Sequence, residues 1–306
     1  MTRWVVPALK IAIPLILAFF IGRMIHGSWQ QIRSEPWRLD PGLLAASFAF
    51  AAAWYLIRPL GWARLIRGFG HQVPYWEIFR IYRKSELSRY VPGGVWQFAS
   101  RVYLTRRHGV DAPACLAATM LDMVLAALAA MVPGAWLAGS AAVALDDWQK
   151  GAILVLPLLA SGIVYPRALN AWAEPLARRL KQPYRRLEIG TRQILSIWAL
   201  YVATWTLLAF AMAFFARALL PDIGGDRLAF VAGCYALAWL AALLTMVSPA
   251  GMGIREGVLG LLLGQAVGVG TALTLAVAMR LWIVLMELVW FGVGLAMPRR
   301  PGGAHS

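Results

Sequence analysis

The sequence predicts an all-α polytopic membrane protein, and three observations carry that prediction. Sixty per cent of its 306 residues are hydrophobic and only 14% are charged, where a soluble domain carries about 45–50% apolar and about 25% charged residues. The apolar residues collect in long runs, most of them near the ~20 residues that a membrane-crossing helix needs. The alternating segments of about ten residues that a membrane barrel requires are absent. Mean hydropathy is +0.65. The formal net charge of +15 would suit nucleic acid in a soluble protein. At this hydropathy it reads as the bias that orients membrane spans, so nucleic acid is not an expected partner.

About eight spans follow in order, and the whole chain, 1–306, reads as one integral membrane domain. The first covers 5–25; Lys10 and Arg23 interrupt it and no small-x-small site follows, so a cleaved signal is not expected. The second covers 42–66. The third, 113–140, opens with Asp111 as N-cap and Pro113 in its first turn. The fourth, 150–165, is short. The fifth covers 195–217, the sixth 227–247, the short seventh 254–269 and the eighth 272–296. Cys115 and Cys234 fall in apolar segments as reduced packing residues. The end, Arg299-Arg300-Pro301-Gly302-Gly303, has the composition of an unstructured tail.

The connections differ in charge. Residues 67–108 carry Arg67, Arg80, Arg83, Lys84, Arg89, Arg101, Arg106 and Arg107 against Glu77 and Glu86. Residues 166–194 carry Arg167, Arg178, Arg179, Lys181, Arg185, Arg186 and Arg192 against Glu174 and Glu188. By contrast 26–41, 141–150 and 217–227 are balanced or acidic. The basic connections and the tail are therefore expected in the cytoplasm, with both termini inside and an even number of spans. Counting 254–269 as a re-entrant hairpin would give seven spans and place Arg299 and Arg300 outside. The segment 166–194 is expected to lie on anionic lipid of the inner leaflet.

Two segments break the apolar pattern. One reads Ser248-Pro249-Ala250-Gly251-Met252-Gly253-Ile254-Arg255-Glu256-Gly257. A charge at membrane depth costs roughly 2.5–3.5 kcal/mol on insertion scales, so two beside a Pro/Gly break point to a broken helix lining a polar cavity. The other is Arg89-Tyr90-Val91-Pro92-Gly93-Gly94-Val95-Trp96, continuing to Arg101. The run from Val91 to Leu104 is too short to cross a ~30 Å core and too apolar for a free loop, so it reads as re-entrant or interfacial. Each break follows the second span of a set of four. This echo suggests an internal duplication, about 1–165 and 195–296, joined by the basic segment 166–194. Paired breaks are where transporters often place their sites.

The same two blocks, together with Arg280, resemble the signatures of the flippase-like family named for the transmembrane region of lysylphosphatidylglycerol synthase, over about 40–296. That family's pattern has Glu-Arg near the start of the third span; here Leu121-Asp122-Met123 stands there, with Asp122 as the acid and no arginine. The family's full synthases append a soluble aminoacyl-transferase domain. These 306 residues leave no room for one, so aminoacyl transfer is not expected. The resemblance implies movement of a lipid between leaflets of a bacterial-type inner membrane.

The residues suit that work. Membrane-depth cations are Arg58, Arg101, Arg255 and Arg280; the acids are Asp122, Glu256 and Glu287. The cationic surplus favours an anionic or phosphate-bearing lipid, aminoacylated and polyprenyl-linked lipids included, because arginine grips phosphate bidentately. Arg255 is expected on the phosphate, with Arg101 and Arg280 as further contacts. Glu256 would orient Arg255 or a cationic part of the headgroup, and could carry a proton. Arg280 and Glu287 lie two helical turns apart on one face. Pro92, Gly93, Gly94, Pro249, Gly251 and Gly253 would supply the backbone breaks. The structural alternative is that these charges pair to hold helices together; Arg58, near a span end, could instead snorkel.

His26, His71, His108 and His305 show no metal spacing, and no phosphate-binding Gly-x-x-x-x-Gly-Lys-Ser/Thr or dinucleotide fingerprint occurs. No metal or cofactor is expected, and transport would be passive, ion-coupled or assisted. Two rival classes compete with a translocator. One is a membrane-embedded transferase on a lipid-phosphate donor, with acids drawn from Glu35, Asp40, Asp146 and Asp147. The other is a non-transporting accessory subunit of envelope-lipid synthesis; a homo-oligomer or an envelope-synthesis partner is compatible with the sequence. The orientation is testable by cysteine labelling. Cysteines placed at Asp147 and Asp222 are expected to react from outside and one at Arg185 only after permeabilisation; the reverse pattern overturns the topology.

Overall fold

The computed structural model describes residues 37–90, 95–136, 146–148, 151–152, 155, 189–221, 223–245, 251 and 253–297. Within them lie eight helices of four residues' length or more in regular α conformation: α1 Pro41–Gly68, α2 Tyr75–Glu86, α3 Trp96–Thr105, α4 Ala112–Gly134, α5 Thr191–Leu219, α6 Leu228–Thr245, α7 Ile254–Val267 and α8 Val269–Ala296. No strand occurs among the described residues. Among the described residues five segments are long and apolar enough to cross a membrane: α1, α4, α5, α6 with the turn before it, and α8. The protein is a multi-pass membrane protein of helices. The expected spans over 5–25 and 150–165, the segment 166–194 and the tail lie outside the described residues.

The helix starts follow local chemistry. The Asp40 carboxylate accepts the Gly42 and Leu43 amides at 2.8 and 3.0 Å, with Pro41 at the first position of α1. Asp111 caps α4 in the same way, accepting the Ala114 amide at 2.7 Å, as its sequence predicts. Asp40, one of the acids set aside for a transferase reading, is thus used as a helix cap.

α5 is the central column, packed on α1, α4, α6 and α8. Polar side chains bridge these contacts at depth. The Ser47 hydroxyl of α1 donates to the Ala211 carbonyl of α5 at 2.7 Å and accepts the Trp282 indole N–H of α8 at 3.0 Å. Gly61 lets the Tyr201 ring approach α1; a Cβ there would sit 2.4 Å from the ring.

Three sequence expectations change. Residues 67–108 are more than a basic connection with one re-entrant or interfacial run. They fold into a helical hairpin, α2 then α3, packed on α1, α4 and α8. Arg80, Arg83 and Arg101 are buried inside it, while Arg67, Arg106 and Arg107 stay exposed. The hydropathy of α2 hides this because its charges are neutralised by one another rather than by water. The entry and exit of the hairpin lie together: His71 meets Asp111 at 3.0 Å and His108 meets Glu77 at 3.7 Å. The second change concerns the seventh span. α7 has 14 residues, about 21 Å at 1.5 Å per residue, short of a ~30 Å core. It is joined to α8 through the single residue Gly268, at φ +85°, and forms half of a second hairpin. The third is the end of the third span: α4 stops at Gly134, and 137–145 lie outside the described residues.

The expected helix break before Arg255 is present. α6 ends at Thr245 and α7 begins at Ile254, with Gly251 at φ +68° and Gly253 at φ +84° between them. Pro249, and the other break at Pro92, Gly93 and Gly94, lie outside the described residues. Gly251 is constrained twice, since a Cβ would also fall 2.6 Å from the Ala242 Cβ. The left-handed conformation costs a residue with a Cβ about 1–2 kcal/mol, and the contact adds to it. Gly251→Leu is therefore expected to lower the thermal unfolding midpoint in detergent and to abolish activity. Gly257→Leu, on a helical glycine with open space around its Cβ position, serves as the control and should unfold near the parent temperature.

Candidate functional site

The interior holds an unusual density of charge, arranged as two arginine-rich nodes and an aromatic cage between them. The first node is Asp122 on α4, 2% exposed. One carboxylate oxygen accepts Arg58 Nη1 of α1 at 2.7 Å and the Tyr201 hydroxyl of α5. The other accepts Arg101 Nη1 of α3 and the Tyr82 hydroxyl of α2, both at 3.2 Å. Arg101 Nε also donates to the Ser85 hydroxyl at 3.3 Å. The guanidiniums lie against aromatic faces: Arg58 is 4.2 Å from the Tyr201 centroid, and Arg101 is 4.1 Å from that of Tyr82 and 4.8 Å from that of Trp62. Each carboxylate oxygen thus has two donors, and five helices meet on one acid. A carboxylate with this many charge-assisted donors is a lock.

The cage lies on α2. Arg83 is 2% exposed, ion-paired with Glu86 at 2.6 Å, and surrounded by Tyr55, Tyr82, Trp54 and Phe79 at 4.7–5.7 Å. Such contacts suit arginine, which is weakly hydrated and stacks well. Glu86 is within electrostatic reach of Tyr82 on one side and Arg89 on the other, so the cage links the two nodes.

The second node is built on α8. Arg280 and Glu287, both buried, face the same neighbour, as their spacing of seven predicts. Glu287 accepts the Tyr90 hydroxyl at 2.7 Å and pairs with Arg89; the Tyr90 ring lies 5.5 Å from the Arg280 guanidinium. These residues close the α2–α3 hairpin just before its Pro/Gly break. From the other side come Arg255 and Glu256 in the first turn of α7, each 7% exposed. Glu256 reaches back to accept the Gly253 amide at 2.7 Å, and its second oxygen lies 3.7 Å from Arg280 Nε. Arg255 sits 5.4 Å from the Tyr235 ring centroid and close enough to Arg280 to repel it. The residues just before the first signature's Pro/Gly run and those just after the second break therefore converge on one face of α8.

Each node carries one more arginine than acid, but they differ in completeness. Asp122 is saturated. In the second node Arg255 Nη2 and Glu256 Oε1 are buried and find no hydrogen-bond partner among the described residues. That region has the polar capacity to take an anion.

Of the residues the sequence nominates, the structure groups Arg255, Glu256, Arg280 and Glu287, and places Asp122 with Arg101 in the other node. Arg58 does not snorkel; it is buried on Asp122. Asp122 is paired by two arginines from distant positions. Sequence reasoning missed Tyr82, Arg83, Glu86 and Tyr201 as site neighbours. Arg89 and Tyr90, quoted within the first signature block, carried the only available signal for their role. No group of three or more metal-ligating side chains occurs among the described residues.

This geometry defines a class first: a helical membrane protein with a broken helix at a buried, arginine-rich centre. Residues 8–290 match the family described as the lysylphosphatidylglycerol synthase transmembrane region, and the chain belongs to that family, whose role concerns membrane lipid. No curated protein matches the sequence significantly.

The lock predicts a thermodynamic signature. Asp122→Leu strands two buried arginines, a loss of about 3–5 kcal/mol, and is expected to lower the unfolding midpoint sharply. Adding Arg58→Leu and Arg101→Leu should recover a substantial part of it. A triple variant no more stable than Asp122→Leu overturns the lock.

Proposed function

We propose that this protein moves an anionic, phosphate-bearing lipid between the leaflets of a bacterial-type inner membrane. One observation carries the reading: Arg255, buried in the first turn of a broken helix, has an open guanidinium nitrogen and lies near Arg280, which is 3.7 Å from the neighbouring Glu256. A desolvated arginine pair with one acid attracts a phosphate. Its place just after a helix break, on the α8 face that also receives Tyr90, is where a headgroup could leave the lipid phase while its tails stay in it. Membership of the lipid-related family supports the same assignment.

In this mechanism the headgroup phosphate engages Arg255, with Arg280 as its second contact. Tyr90 and Glu287 hold the α2–α3 hairpin against α8, beside the passage. Asp122, Arg101 and Arg58 keep the surrounding helices together and do not touch substrate. Both termini lie in the cytoplasm, and the segment 166–194 rests on anionic lipid of the inner leaflet. Nothing in the cycle requires a covalent step or a bound cofactor.

Vesicles holding only the purified protein test the reading. Arg255→Ala is expected to slow flipping of labelled phosphatidylglycerol roughly ten- to hundredfold, since a hydrogen bond to a charged group contributes about 1.5–3 kcal/mol. Arg255→Lys should restore part of the rate, because a point charge replaces a planar fork. Native-rate flipping by a folded Arg255→Ala protein overturns the site, and a parent protein that flips no lipid favours an accessory role.

A further inference from the structure

Resting on the translocation reading, we infer that the lipid carried here has a headgroup that is anionic only, with no ammonium group, and that Glu256 is the internal counter-ion which that headgroup displaces. The inference comes from accounting for every buried charge among the described residues. Arg80 has its own partner, Glu77, at 2.9 Å. Six arginines remain: Arg58, Arg83, Arg101, Arg255 and Arg280 are buried, and Arg89, 27% exposed, is counted with them as the partner of buried Glu287. They face four buried acids: Glu86, Asp122, Glu256 and Glu287. The difference, six less four, is a surplus of two positive charges, one at each node.

A cationic headgroup needs an acid to receive it. Asp122 already accepts four donors. Glu86 is held at 2.6 Å by Arg83, and Glu287 by Arg89 and Tyr90. Glu256 retains an open oxygen, but that oxygen lies 3.7 Å from Arg280 Nε, with Arg255 nearby. An ammonium brought there would be desolvated beside two guanidiniums, a like-charge juxtaposition that selects against it. A phosphate brought there meets the reverse situation. It replaces the weak, 3.7 Å carboxylate contact and adds the acceptor that Arg255 Nη2 lacks.

Glu256 can be released cheaply because its two oxygens have separate tasks. One caps the backbone at Gly253, at 2.7 Å; the other neutralises arginine. The cap holds the α7 turn in place while the second oxygen gives way. Without such an internal anion, the empty cycle would return with two adjacent buried arginines and nothing between them. The inference thus separates this chain from the aminoacylated lipid for which its family is named.

The test uses the full-length protein in phosphatidylcholine vesicles with trace acyl-chain-labelled lipids, read by quenching of the outer leaflet. Phosphatidylglycerol is expected to flip at least tenfold faster than lysylphosphatidylglycerol and phosphatidylethanolamine. Lysylphosphatidylglycerol flipping as fast as phosphatidylglycerol overturns the substrate class while leaving translocation intact; no flipping of any lipid removes the translocation reading itself. Labelled inorganic phosphate should not accumulate in the same vesicles, and uptake of phosphate without lipid flipping would overturn a lipid source. Glu256→Gln keeps an oxygen for the Gly253 cap and removes the charge. It should lower the half-saturating phosphatidylglycerol fraction several-fold and slow the maximal rate, through slower release. An unchanged half-saturating fraction in the folded variant overturns the counter-ion role.

Discussion

The fold depends on the neutralisation of arginine by Asp122. Five helices, α1 to α5, each send one group to this carboxylate or carry it, from positions spread over residues 58 to 201. In lipid, apolar surface supplies no drive to bring helices together, because the tails are as apolar as leucine. Directional polar contacts and close packing must do that work. A buried ion pair is a poor source of net stability but a strong source of uniqueness, because any other helix arrangement strands a charge in a medium of low dielectric. Gly61, without a Cβ, brings the Tyr201 ring to α1, so the polar contact and the packing specify the same register.

The second node uses the same chemistry for a different end. Its acid is shared between a helix cap and a guanidinium, its arginines repel, and its backbone runs through two glycines in the left-handed region. Unfilled capacity of this kind is costly in a core and usually marks function. α8 links the two halves of the site: Glu287 receives the hairpin before the first break and Arg280 faces the helix after the second. Both hairpins therefore rest on one helix face.

Much of this was legible before any coordinates. The runs that became α1, α4, α5, α6 and α8 are long and apolar, which hydropathy reads directly. The caps Asp40 and Asp111 precede prolines at or near the helix start; Asp111 was expected, whereas Asp40 was considered only as a chemical acid. The Arg280–Glu287 spacing placed both side chains on one face, and so they are. α2 was illegible because hydropathy counts Arg83 and Glu86 as solvent-seeking, whereas each is the other's solvent and aromatic rings enclose the pair. The partners of Asp122 were illegible for another reason. They come from 64 residues upstream, 21 residues upstream and 79 residues downstream, and no local pattern encodes such distances.

Those separations bear on how the chain is made. Ribosomes extend a chain by about 5–20 residues per second. Arg58 must therefore wait for Asp122, 64 residues later, and Arg89 for Glu287, 198 residues later. The second interval is roughly 10–40 s at those speeds. Throughout it the hairpin carries an arginine whose counter-charge has not yet been synthesised. Such a segment cannot be delivered to lipid when it emerges. It has to be kept at the wet surface or inside the insertion machinery, and drawn to depth only when α8 arrives. α8 is thus the helix that completes the α2–α3 hairpin, and a chain truncated before Glu287 would leave that hairpin unseated.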